Sequence, residues 1–167
     1  MARSSRSKLV LALALLKELR AKVAYYSSMV QSNAARYREF AKRIERIDPA
    51  RARQAMREAE SLEKLRLHLE RISLFIERVM IRLETLVTLG EVAASAHVLK
   101  GLVEEVKKSV AYRVPFISVA IDRIDSMARE LMSEVRSYSY ESSSSPVVAS
   151  SEARKVIEEA KKVAGLA

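Results

Sequence analysis

The sequence predicts an all-α protein built on a long antiparallel helical hairpin, and three observations carry that prediction. Ala, Leu, Glu, Arg and Lys together supply 89 of the 167 residues, a composition that marks long helices and coiled coils. Helix breakers are scarce, with three Gly and three Pro in the whole chain. Apolar residues also recur at seven-residue intervals through the first quarter of the chain. Leu9, Leu16, Val23, Val30, Tyr37 and Ile44 form one register, and Ala12, Leu19, Tyr26, Asn33, Phe40 and Ile47 form another three positions on. That is the a/d seam of a coiled coil, interrupted mainly at Asn33. The length suits one domain with a sizeable core.

The first helix is expected from about Ser7 to Arg46. Asp48-Pro49 then supplies an N-cap and an N1 proline, so a second helix starts at once. Its seam is Ala55, Leu62, Leu69, Ile76 and Leu83 in one register, and Leu65, Ile72, Val79 and Leu86 in the other. Two long helices joined by so tight a turn must fold back antiparallel. Leu67, Leu74 and Ile81, with Phe75, Met80 and Val87 nearby, exceed what one partner helix covers. Later helices or another subunit must bury them. Gly90 closes the second helix or bends it. Val92, Ala96, Leu99, Val103, Val106 and Val110 mark a third helix, either folded back or continuous with the second. Pro115 breaks the pattern, and Ile117, Ile121, Ile124, Ala128, Leu131 and Val135 mark a fourth.

Residues 137–151 hold eight Ser and Pro146, which reads as a flexible linker. Residues 152–166 form a final short amphipathic helix through Val156, Ile157, Val163 and Leu166. Arg154–Glu158 and Glu158–Lys162 pairs support it. The expected organisation is a helical core domain over 1–136, a linker over 137–151 and a C-terminal helix over 152–167.

Residues that could carry chemistry are few. Zero Cys excludes disulfides, thiolate metal sites and Cys nucleophiles, while leaving the redox compartment open. Nine aromatics and no Trp argue against a β-sandwich or a base-stacking platform. His68 and His97 are the only histidines, and Leu65 and Ala94 stand where a Glu-x-x-His metal motif needs glutamate. Gly101 with Lys107-Lys108-Ser109 resembles a phosphate loop only superficially, because Val106 replaces the second glycine and the segment is periodic like a helix. Glu104-Glu105 and Glu158-Glu159 are adjacent pairs that diverge on a helix. No nucleophile, metal or cofactor set remains, and a non-enzymatic chain is expected.

Charge is the stronger signal. Of the net +9, residues 1–46 carry +8, from eleven basic and three acidic side chains; residues 47–89 carry +1 and the rest is neutral. A field so concentrated attracts a polyanion, either an anionic membrane or nucleic acid. The basic N-terminus followed by Leu9 to Leu16 has the outline of a signal peptide. Lys17, Glu18, Arg20 and Lys22 follow without a small-residue cleavage site, however, and a membrane span needs about 20 apolar residues. Leu9, Leu11 and Leu13, flanked by Arg3, Arg6, Lys8, Lys17, Arg20 and Lys22, instead describe a helix lying in a membrane interface. A first helix packed deep in the bundle is the other reading of the same residues. The alternative partner class, nucleic acid bound by a basic coiled coil of chromatin type, lacks any reader motif.

Residues 77–90, Glu-Arg-Val-Met-Ile-Arg-Leu-Glu-Thr-Leu-Val-Thr-Leu-Gly, resemble the end of helix 2 in archaeal cell-division proteins of the CdvB type, members of the ESCRT-III family. Ile81-Arg82-Leu83-Glu84-Thr85 followed by Leu89-Gly90 is the most specific part. The turn at Asp48-Pro49 and the proline at 115 stand in the same relative places. The resemblance covers about residues 7–137, and is to a short paralogue without a winged-helix tail. It implies an ESCRT-III-like fold and a subunit that polymerises, alone or with paralogous subunits, into filaments on anionic lipid. The filaments remodel or cut membrane in archaeal cell division, at the division site on the cytoplasmic face of the cell membrane, and an AAA ATPase of CdvC type takes them apart. It further implies a basic membrane-facing surface at Lys17, Arg20, Lys22, Arg36, Arg38, Lys42 and Arg43. The hinge candidates are Gly90, Gly101 and Pro115, and the ATPase-docking candidates are Pro146, Val156, Ile157 and Leu166.

Overall fold

Ala2–Ile44 form one unbroken helix, α1, about 64 Å long at 1.5 Å per residue. In the computed structural model, residues 2–138 and 146–166 are described, with side chains over 4–137 and 148–166. The chain reverses after α1 through a three-residue turn, in which the N–H groups of Ile47 and Asp48 both donate to the Ile44 carbonyl at 3.0 and 2.8 Å. Asp48 then caps helix α2 (Pro49–Thr88), its Oδ1 accepting from the Arg51 N–H at 3.2 Å. Cap and N1 proline sit as the Asp-Pro dipeptide predicts, and α1 and α2 form the long antiparallel hairpin.

Helix α2 ends in a Schellman turn: Gly90 N–H donates to the Val87 carbonyl at 3.1 Å, and Glu91 N–H to the Leu86 carbonyl at 2.9 Å. Gly90 holds φ of +76°, a conformation that only glycine adopts without strain. Helix α3 (Val92–Lys108) therefore folds back rather than continuing α2. A short 3-10 turn (Val110–Arg113) leads to helix α4 (Pro115–Tyr138), with Pro115 at its first position. Helix α5 spans Pro146–Ala164. It takes in residues 146–151, which the sequence assigned to the linker, because proline suits a helix start and buried Ala149 extends the apolar face of α5. Residues 137 and 138 of the predicted linker end α4, and 139–145 lie outside the described residues.

Helix α4 runs antiparallel to α1. Phe116 meets Tyr26 edge-on at 5.4 Å between ring centroids, and Glu130 reaches Lys8 at 3.3 Å. Helix α5 lies over α2 and α3, with Lys161 3.5 Å from Glu105 and Glu159 3.8 Å from Arg82. Gly101 makes this close approach possible: a Cβ there would stand 2.8 Å from Ile157 Cγ1. Among the described residues the molecule is thus five α-helices, whose main core includes Leu16, Phe75, Ile76, Leu83, Leu99, Ile121 and Ile157.

The seam of the hairpin departs from the seven-residue pattern after Val30. A straight helix of 3.6 residues per turn drifts about 20° per heptad against a 3.5 repeat. Ala34 and Ala41 consequently share the buried face of Leu16 and Val23, while Phe40 is carried off it and stands 41% exposed. Tyr37 is exposed beside it. Between residues 31 and 68 every buried side chain is an alanine: Ala34, Ala41, Ala52, Ala55 and Ala59. Here α1 and α2 pack on each other alone, as a two-helix arm reaching about 20 Å beyond the five-helix body.

Candidate anion-binding surface

Much of the positive charge predicted for a membrane surface on α1 is answered inside the molecule. Lys8 pairs with Glu130 and Glu134 of α4, and Ser5 Oγ donates to the same Glu134 carboxylate. The hydrogen bond from Lys8 holds the Glu134 carboxyl below its ordinary range, and Glu134 in turn raises the Lys8 ammonium. Lys17 lies 3.1 Å from Glu84, Arg20 3.7 Å from Glu77, and Lys22 2.8 Å from Glu18. These three pairs are solvent-exposed and contribute little stability, about 0–1 kcal/mol each. They do weaken the field that this stretch offers to a polyanion.

The apolar N-terminal run is packed and not free. Leu9 is 1% exposed in the main core, Leu13 is partly buried against it, and Leu11 stands half-exposed. In this structure Leu9 and Leu13 follow the packed-helix reading of the run. Helix α4 lays Ile124, Ala128 and Leu131 into the same cluster, so the run is already covered by protein. The Arg3 side chain lies outside the described residues.

The unanswered charge is in the arm. Residues 36–57 hold eight basic side chains (Arg36, Arg38, Lys42, Arg43, Arg46, Arg51, Arg53 and Arg57) against Glu39, Glu45 and Asp48. Arg38 pairs with Glu63 at 3.7 Å and Arg43 with Glu39 at 3.8 Å. Among the described residues the other six have no ion-pair partner, and Arg6 near the N-terminus has none either. The sequence reading named Arg36, Arg38, Lys42 and Arg43 but not Arg46 at the end of the first predicted helix, nor Arg51, Arg53 and Arg57 across the turn. A window spanning the Asp48-Pro49 turn would have found them, since the turn brings both helix ends together. At the extremity Ile47 is 83% exposed. On one flank Tyr37, Phe40 and Leu62 line an open groove of 570 Å³ with Arg36 and Glu58.

The remaining candidates fall elsewhere. Gly90 stands at the α2–α3 break and Pro115 opens α4, whereas α3 runs unbroken through Gly101. Of the docking candidates, Val156 and Ile157 are buried against the body and Leu166 is partly buried. The Pro146 side chain lies outside the described residues. A cleft of 460 Å³ between α3 and α4 is lined by Lys100, Lys107, Asp125, Arg129 and Arg136, with Lys107 held by Asp125 at 2.8 Å. Among the described residues no three His, Asp or Glu side chains are grouped to hold a metal ion, and no helix is long and apolar enough to cross a membrane.

His97 gives this region a pH dependence. Burial, aided by the charges of Lys100 and Arg136, holds its imidazole below the ordinary value of 6.5. As pH falls below 6.5 the unfolded chain takes up the proton before the folded one does, so stability must decline. Denaturant midpoints at pH 7.5 and pH 5.5 should show this decline in the native chain, and the decline should be smaller in His97→Gln. An unchanged pH dependence in that variant would assign the effect to other groups.

Comparison with protein-family models, with curated protein sequences and with solved structures returns no match for this chain.

Proposed function

We propose that the chain is a non-enzymatic membrane-remodelling subunit, which assembles into filaments on anionic membrane in the manner of the ESCRT-III family. The observation that carries this reading is the arm: two long helices extended beyond the body, with eight cations against three carboxylates at their far end. Such a field binds polyanions by counterion release and long-range attraction. Exposed Val10, Leu11, Tyr25 and Met29 on α1 and Val119 on α4 provide apolar edges for neighbouring copies. The glycine-dependent break at Gly90 supplies a place where α2 and α3 convert to one continuous helix in the assembled form. Co-assembly with paralogous subunits and disassembly by a CdvC-type ATPase belong to the same reading, as does a place on the cytoplasmic face at the division site.

The test is electron microscopy and sedimentation with vesicles of phosphatidylserine and phosphatidylcholine in equal parts, and of phosphatidylcholine alone. Filaments and co-sedimentation are expected with the anionic vesicles only, and both should fall away in high salt. Charge neutralisation at Lys17, Arg20 and Lys22 together, already paired within the hairpin, should weaken binding less than neutralisation at Arg46, Arg51 and Arg53. A chain that ignores anionic vesicles and stays monomeric overturns the proposal.

A further inference from the structure

Among the described residues the most exposed large aliphatic side chain stands amid a dense cluster of positive charge. Ile47 is 83% exposed at the apex of the hairpin, preceded by Arg43 and Arg46 and followed by Arg51 and Arg53. Both carboxylates nearest this apex are in the turn itself. Asp48 caps α2, its carboxylate accepting the Arg51 N–H, and with Glu45 it is outnumbered by Arg46, Arg51 and Arg53. None of these three arginines has an ion-pair partner among the described residues. Like charges gathered at one end of a hairpin repel one another, and a surface rich in anions relieves the repulsion.

We infer that the apex is the membrane-entering end of the protein: Ile47 passes between anionic headgroups into the apolar boundary, and the surrounding arginines hold the phosphates. The inference rests on the membrane reading above and adds where and in what orientation contact is made. An aliphatic tip within a ring of cations matches a phospholipid surface, which offers phosphate at its face and hydrocarbon just beneath. It does not match a duplex, whose backbone phosphates surround polar grooves. Arginine suits the role through its planar, multiply donating head, which grips phosphate at two oxygens. The shape of the arm fits as well. It is two helices wide and about 20 Å long, so the apex reaches the bilayer while the five-helix body stays clear. Met56, Tyr37 and Phe40, all exposed behind the apex, are placed to follow Ile47 toward the headgroup level. The N-terminal run, by contrast, is packed under α4 and has no such freedom.

The chain contains no Trp, so single tryptophans report insertion directly. Ile47→Trp places one at the apex, and Tyr25→Trp places one on the outer flank of α1, where the native side chain is 70% exposed. Both sites are solvent-exposed, and circular dichroism verifies that helix content is kept. With vesicles of equal phosphatidylserine and phosphatidylcholine, the Ile47→Trp emission should shift to the blue and be quenched by brominated acyl chains. Tyr25→Trp should escape that quenching, whatever shift its contact with a neighbouring copy produces. Arg46→Glu, Arg51→Glu and Arg53→Glu together should reduce vesicle partitioning at least tenfold. If the native chain sediments with these vesicles but Ile47→Trp is neither shifted nor quenched, the apex inference fails while the membrane reading stands. Loss of sedimentation for the native chain itself overturns both. Binding of duplex DNA by a chain that ignores the vesicles overturns both as well, and assigns the arginines to nucleic acid.

Discussion

Truncation of Phe75 to alanine is expected to lower the unfolding free energy by about 3–5 kcal/mol, whereas Phe40→Ala should change it by no more than about 0.5 kcal/mol. The two residues are both phenylalanines of the hairpin, and hydrophobic periodicity alone places Phe40 in the seam. Phe75 is fully buried in the cluster to which all five helices contribute. Removing its ring opens a cavity that surrounding side chains on five rigid elements cannot collapse into. Phe40 stands on the arm, rotated off the contact between α1 and α2, with much of its ring already in water. For a chain of this size 1 kcal/mol corresponds to roughly 2–4 °C in melting temperature. Phe75→Ala should therefore melt about 6–20 °C lower, and Phe40→Ala close to the native value. Similar losses from both would mean that the arm is gripped by something besides α1 and α2, and the description of a two-helix projection would be wrong.

Gly101→Leu is expected to lift α5 from the body while leaving the hairpin folded. The glycine does not serve the backbone here, since it lies inside α3 with ordinary helical dihedrals. It serves the neighbour: even a single Cβ would meet Ile157 at 2.8 Å. A leucine at this point overpacks the contact by about 1–3 kcal/mol. Helix α5 has little to set against that, because its buried face is largely alanine: Ala149, Ala153, Ala160 and Ala164 beside Val156 and Ile157. Its ion pair to Arg82 is exposed and weak, and the more shielded pair of Lys161 with Glu105 is the polar contact that remains to hold it. Hydrogen exchange should rise across 148–164 with the core of α1 and α2 still protected, and Val156 and Ile157 should become reachable by a partner. Protection of α5 at the native level would show that Ile157 rotates away, and that the close approach is dispensable.

How far the sequence reveals this fold differs from one feature to the next. Helices with strong periodicity and explicit punctuation are legible. Asp48-Pro49 and Gly90 each make the turn that their side-chain or backbone chemistry demands, and the hairpin follows from them. Less legible is anything that depends on which neighbour arrives. The heptad pattern treats Tyr37 and Phe40 as equivalent to Leu16 and Leu19, but α4 covers only the first half of α1, and beyond Val30 the partner is a row of alanines in α2. Gly101 carries no signal of its contact, since a glycine inside a helix looks the same whether it bends or makes room. The run Leu9 to Leu16 has the composition of an interfacial helix, and only the position of α4 decides that it is core. For the charged surface, the cations were all readable, but their pairing was not. Glu77, Glu84, Glu130 and Glu134 neutralise α1 from distances in sequence that no local window spans. The arm keeps its field because α2 sends arginines to meet it.

The alanine seam of the arm also sets how the molecule comes apart. Each buried methyl removes far less apolar surface from water than the leucines and phenylalanine of the body, so the two helices part there at a free energy well below that of global unfolding. Such opening is confined to the arm, because from Val30 toward the N-terminus larger side chains and α4 hold α1. The protein thus carries its charge on its most easily separated segment. A partner that grips α1 and α2 together at the far end suppresses that opening, and spends part of its binding free energy on the stiffness of a lever whose fulcrum is already fixed.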